Sequence, residues 1–204
     1  IEDCLKGLYL TYVRNAKFIN EQSLPAITFM GNCVVELYGL DIEASYQHCF
    51  VYIRQLALHL RNAMIKKTKE ALQNIFNWQF VNCLKVWTAV LASYPAEAQL
   101  KTLVYPLTQV ITGVVRIAQS SRLIPLRFQC VRFLHQLSAS AHVYIPTAST
   151  LLEVLRCPDL TKKSKPSTAH APHVEGLIRF SESEMGTKVV QDAIFAQAIE
   201  LNIE

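Results

Sequence analysis

With 204 residues, 51% of them hydrophobic and only 18% charged, the chain has the makings of a packed protein, which excludes general disorder. A chain of this size buries roughly 70% of its unfolded surface. Its net charge of +4 is too mild to mark a nucleic-acid binder by itself, and no run reaches the roughly 18 apolar residues of a membrane span.

Nothing at the start reads as a signal peptide. Ile1 stands where an initiator Met would, and Glu204 closes inside a helical pattern, so we expect a piece of a longer polypeptide. The six cysteines are scattered, with no Cys-x-x-Cys pair. Cys33, Cys49, Cys83 and Cys130 sit among apolar residues at helical spacing, which points to buried reduced thiols.

The first element is a short apolar helix over Cys4 to Val13. A second covers Leu24 to Tyr38, with Pro25 in its first turn and Gly39 as its stop. Asp41 caps a long third helix that runs to about Met64, followed by Lys66, Lys67 and Lys69, which suit a helix C-terminus. In that helix Tyr46, Cys49, Phe50, Ile53, Ala57, Leu60 and Met64 recur at three- and four-residue steps. Tyr52 and Leu56 flank the stripe, and Val51 and Leu58 lie towards the back. A helix apolar on more than one side calls for a neighbour on each side, as in stacked helical layers.

From Thr68 to Ser93 the period is helical again, with Phe80, Leu84, Trp87 and Leu91 on one stripe, until Tyr94-Pro95 ends it. Trp78, Phe80, Trp87 and Tyr38 fit core packing better than base stacking, because they follow the apolar period. A crude repeat follows: YPLTQVITGVV, IPLRFQCVRFL and IPTASTLLEVL each place Pro at a helix start, at Pro106, Pro125 and Pro146. Two such helices with their turns approach the ~40-residue period of HEAT-type solenoids, although a compact bundle uses proline in the same way.

These signals divide the chain into a helical repeat domain over 1–156, an extended linker or arm over 157–180, and a terminal helix over 181–204. The arm carries Lys162, Lys163 and Lys165 among prolines without a hydrophobic period. Its end, Leu177 to Phe180, pairs as a strand or lies along a neighbouring surface. Ser181 and Glu184 form a capping box that opens the last helix.

No catalytic constellation stands out. The chain has no phosphate-binding glycine loop and no nucleophile elbow. His48 beside Cys49 points about 100° away from it on a helix, and no second pair completes a metal site. The candidate contacts are cationic: Arg54, Arg61, Lys66, Lys67 and Lys69 around the long helix, and Lys162, Lys163 and Lys165 on the arm. Each cluster reads either as a grip on RNA phosphates or an acidic partner, or as a solvated surface. Arg127 and Arg132, five residues apart, do not share a face.

NCVVELYGLD (32–41), YQHCFVYIRQLALHLRNAM (46–64), NWQFVNCLKVW (77–87), LVYPLTQVITGVVR (103–116) and PLRFQCVRFLHQLS (125–138) together resemble the nucleolar complex protein 2 family. The tail GTKVVQDAIFAQAIEL also fits, and Gln191-Asp192 matches the family's most recognisable dipeptide. The chain departs from the family pattern at Ile117-Ala118-Gln119-Ser120, which lacks the usual proline of that turn, and over the arm.

The resemblance implies an all-α, HEAT/armadillo-like helical repeat solenoid without catalytic residues, metal or cofactor. It further implies a nuclear scaffold, nucleolar and nucleoplasmic, that assembles and transports precursors of the large (60S) ribosomal subunit. Its implied partners are a sister nucleolar complex protein, as a heterodimer, together with pre-ribosomal particle proteins and rRNA; membrane and small-molecule substrate are not among them. A chromatin or transcription co-regulator using the same helical surface is the competing class, with a nuclear transport adaptor further off.

Overall fold

Helix starts follow from side-chain caps and proline. In the computed structural model, which describes residues 1–20, 22–166, 170 and 172–203, α1 (Glu2–Asn15) is followed by α2 (Leu24–Tyr38), which begins with Pro25 in its first turn. Asp41 caps α3 (Ile42–Lys66) by accepting from the Ala44 amide at 3.1 Å. Gly39 ends α2 as expected, in ordinary right-handed geometry (φ −78°). Its missing side chain matters for space. A Cβ would overlap the ring of Tyr94, whose hydroxyl donates to the Val35 carbonyl at 2.9 Å.

The single helix expected over Thr68 to Ser93 is two. Thr68 caps the short α4 (Lys69–Gln73), the chain turns, and Asn77 caps α5 (Trp78–Ser93) by accepting from Phe80 N at 2.8 Å. An asparagine that can satisfy a free helix amide starts a new helix where the hydrophobic period reads straight through. After the one-turn α6 (Ala98–Lys101) come α7 (Val104–Ile117), with Pro106 in its first turn, and α8 (Ile124–Ala141), with Pro125 in its own. Pro146 precedes α9 (Ala148–Leu155) rather than entering it.

Two cores result. The larger gathers α1, α2, α3, α5, α7 and one side of α8, and α5 is its centre. Trp87 is fully buried there, stacked on Tyr52 at 5.8 Å and edge-on to Tyr38 at 5.4 Å, and its indole donates to Tyr9 Oη at 3.3 Å. Asn82 ties α5 to the end of α1 by donating to the Ala16 carbonyl at 3.0 Å and accepting from Tyr12 Oη at 3.1 Å. The helix with neighbours on several sides is thus α5. Helix α3 packs against α1, α4, α5, α6 and α7, but Val51, Arg54, Leu58, Arg61 and Ile65 stay exposed, so the neighbours expected on each side are missing from that outer side among the described residues.

The smaller core gathers Ile124, Phe128 and Val131 from the other side of α8 with Leu151 and Val154 of α9, and it continues into the C-terminal third. There the segment expected as a linker holds a one-turn helix, α10 (Pro158–Thr161), and buries Leu160, Val174, Ile178 and Phe180. Residues 167–169 and 171 of that segment lie outside the described residues. Leu177 to Phe180 lies along the start of α8, where the Ile178 carbonyl accepts from Leu126 N at 3.2 Å and Phe180 N donates to the Arg122 carbonyl at 2.9 Å. The Ser181–Glu184 capping box forms, but it opens only the one-turn α11 (Glu182–Met185). The last long helix, α12 (Lys188–Ile203), starts after a break at Gly186-Thr187.

The architecture is all-α. Among the described residues the one strand-like pairing is an isolated parallel bridge between Lys165 and Thr187. Leaving aside helices of five residues or fewer, the helices meet chain neighbours and next-but-one neighbours, as in α1–α2, α3–α7, α5–α8, α7–α8 and α8–α12. That pattern is compatible with a HEAT-like stack.

Candidate functional site

The first candidate surface is the solvent side of α3. Cys49, Ile53, Leu56, Leu60 and Ala63 turn inward, whereas Phe50, Val51, Leu58, Met64 and Ile65 stay exposed between 44% and 67%. Arg54 and Arg61 are exposed on this outer side, among the apolar residues. Lys66 closes the last turn, Lys67 caps it with a left-handed backbone (φ 50°), and Lys69 opens α4, all three exposed. The five cations expected around this helix therefore lie on or beside one open face, together with aliphatic side chains that nothing covers.

The second surface is a hollow of about 500 Å³ where the arm meets α11 and α12. Lys162, Lys163 and Lys165 line it, joined by Arg122 from the turn ahead of α8, and the carboxylates of Asp159 and Glu182 also lie in its wall, leaving an excess of two positive charges. Its frame is hydrogen-bonded. Ser121 Oγ donates to Asp159 at 2.5 Å, Lys162 Nζ pairs with the other Asp159 oxygen at 2.7 Å, and Arg122 Nε donates to the Phe180 carbonyl at 3.0 Å. These contacts, Lys162 first, hold the Asp159 carboxyl below its usual range. Gln191 Nε2 donates to the Asp159 and Lys162 carbonyls, each at 3.4 Å, and the Lys165 amide donates to the Gly186 carbonyl at 2.8 Å. The lysines are thus presented from a fixed backbone. Arg122 and Gln191 were beyond sequence reasoning as members of this site, because roughly 40 and 30 residues separate them from the lysines they join. The one signal in the sequence that touches this site is the Gln191-Asp192 dipeptide, which matches the family pattern.

The two arginines of α8 do other work. Arg127, buried, reaches Glu153 of α9 at 2.6 Å, and Arg132 pairs with Glu175 at 2.8 Å. Both are inter-element ties, in keeping with their separate faces.

The thiols are structural in placement. All six cysteines are free; Cys49, Cys83 and Cys130 are buried, and Cys33 is half-buried. Burial pushes the Cys83 thiol up to about 11 and the Cys130 thiol up to about 12, so neither is a thiolate near neutral pH. His48 packs edge-on against Tyr38 at 6.3 Å. Among the described residues no three His, Cys, Asp or Glu side chains gather as a metal site. An open cleft of about 330 Å³ between α1, α3 and α5 is lined by tyrosines, amides and His59 and holds no carboxylate. No described helix is long and apolar enough to cross a membrane.

Comparison with known proteins identifies the family. The sequence profile of the Noc2p family matches residues 1–204. The chain belongs to the Noc2p family. Among relatives, nucleolar complex-associated protein 2 of Arabidopsis thaliana is 39% identical over the whole chain. Nucleolar complex protein 2 of Drosophila melanogaster is 38% identical over 98% of it, and a Caenorhabditis elegans homologue is 36% identical over 93%. The chain spans only about a quarter of these relatives, 26–28% of their length. Within this Noc2p-family chain the open α3 face and the lysine-lined hollow are two exposed surfaces that carry the cations singled out in the sequence.

Proposed function

We propose that this Noc2p-family segment is part of a non-enzymatic scaffold in ribosome biogenesis, acting in the nucleolus and nucleoplasm on precursors of the large ribosomal subunit. It works in a nucleolar complex with a sister protein as heterodimer partner. The observation that carries this reading is the match along all 204 residues to the Noc2p family, whose relatives bear the name nucleolar complex protein. The structure adds two supports. One helix keeps an apolar face uncovered, which suits a protein partner. Four cations, Arg122, Lys162, Lys163 and Lys165, share one hollow, which suits phosphate oxygens of rRNA.

The test is sedimentation of the full-length protein with ribosomal precursors. Association that RNase weakens, and that glutamate in place of Arg122, Lys162, Lys163 and Lys165 weakens further at raised salt, supports the assignment. Glutamate at Arg54, Arg61, Lys66 and Lys67 asks the same of the α3 flank. Retention on chromatin that resists RNase, with no precursor rRNA recovered, overturns the reading in favour of co-regulation.

A further inference from the structure

The exposed side of α3 has a seven-residue repeat. Val51, Leu58 and Ile65 are seven apart, and Arg54 and Arg61, also seven apart, each follow an aliphatic residue by three. Alternating steps of three and four residues set all five on one line along the helix, the spacing of a coiled-coil seam. The aliphatic members are 48%, 49% and 67% exposed, and Phe50 borders the line at 47%. Neither guanidinium is ion-paired among the described residues. The helix presenting this line is anchored from behind by Cys49, Ile53, Leu56 and Leu60, so the seam is fixed before anything binds.

A seam with one aliphatic and one cationic position per repeat defines its complement. Apolar side chains must cover Val51, Leu58 and Ile65, and carboxylates must meet Arg54 and Arg61. From Val51 to Ile65 the seam is straight for about 21 Å at 1.5 Å per residue, a length that a helix of about four turns follows side by side. RNA fits less well. Its phosphates would pair with the arginines but press charge against three aliphatic side chains, with only Phe50 available for stacking. Charge along α3 is also graded, from Glu43 in the first turn to Lys66 in the last, so the acidic residues of the occupant concentrate towards the Arg61 end.

We propose that this seam docks an amphipathic helix of a partner protein, apolar at seven-residue intervals and carrying Asp or Glu opposite Arg54 and Arg61. The inference rests on the scaffold reading and adds to it the location and chemistry of one protein contact.

The test places a photo-crosslinking phenylalanine analogue at Leu58 of the full-length protein in native precursor particles and maps the attached fragment by mass spectrometry. The expected fragment is a partner segment with apolar residues seven apart and acidic residues between them. Arg54→Glu with Arg61→Glu cuts its yield about tenfold or more, Arg54→Gln with Arg61→Gln cuts it less, and lysine at the mapped acidic positions restores it against the glutamate variant. All variants keep the parent melting temperature, because both arginines are exposed. A crosslink to RNA, to another part of the same chain or to segments without that pattern overturns the inference, as does no crosslink or a yield indifferent to charge reversal. If the unsubstituted protein still sediments with precursors, such an outcome removes the seam alone; if it does not, the scaffold reading falls as well.

Discussion

Helices α3 and α5 look alike as amphipathic sequences and are treated differently by the fold. Both carry apolar residues well beyond one stripe. In α5 the surplus is consumed internally, because α1, α2, α3, α7 and α8 surround it and even Asn82 and Thr88 are buried. In α3 the surplus stays in water, with Phe50, Val51, Leu58 and Ile65 about half exposed or more. Apolar width tells how much surface a helix must hide, but not whether its own chain or another molecule hides it.

Substitutions on the two helices should therefore separate sharply. The largest effect is expected at Trp87→Ala, which empties the centre of the main core and removes the donor to Tyr9; loss of about 3–5 kcal/mol in denaturant unfolding is expected. A loss below about 1 kcal/mol would mean that α5 is not the hub described.

Alkaline pH acts on the same core. Burial raises the Tyr9, Tyr12, Tyr38 and Cys49 ionisations above their ordinary values, as it does Cys83 and Cys130. The folded state then holds protons that the unfolded chain releases, so the unfolded state binds fewer and stability declines with rising pH. The stability is fully present below the ordinary thiol range near 9 and is lost progressively above it, through about 11 for Cys83 and about 12 for Cys130. Thermal midpoints measured from pH 7 to 11 should be level at first and then fall; a curve that stays flat to pH 11 would contradict the burial of these groups.

Smaller again is Gly39→Ala at the α2–α3 corner, where the added methyl displaces Tyr94 from its bond to Val35, for a loss of about 1–3 kcal/mol. The smallest effect is predicted on the outer side of α3. Serine at Val51, Leu58 and Ile65 together should change unfolding free energy by only about 0.5 kcal/mol per site, while abolishing the proposed helix docking. Destabilisation approaching that of Trp87→Ala would show that α3's outer face is covered by its own chain, and the contrast between the two helices would collapse.

Much of the fold was legible from the residues alone. The bounds of α2 and the caps at Asp41 and Ser181 have local chemical causes that lie within a few residues of sequence. The breaks at 74–77 and at Gly186-Thr187 were missed because the hydrophobic period continues across them, while the competing signal, a capping Asn77 or a lone Gly-Thr step, is short. The packed state of the 157–166 arm was missed for a different reason. Leu160 is its one deeply buried aliphatic residue, and one residue makes no period. Of the candidate site, each cation could be read as exposed and basic. That Arg122 stands beside the arm, or that Gln191 holds it there, depends on chain reversals that local patterns do not encode.

Helix α8 gives Phe133, Leu134 and Leu137 to one core and Phe128 and Val131 to the other. Shared in this way, it acts as a strut: loosening either half strips a flank from its neighbour, so the halves should melt together and resist bending about their junction. Probes attached at Leu58 and Lys163 would then report one narrow separation, giving the chain the character of a gauge block rather than a hinge.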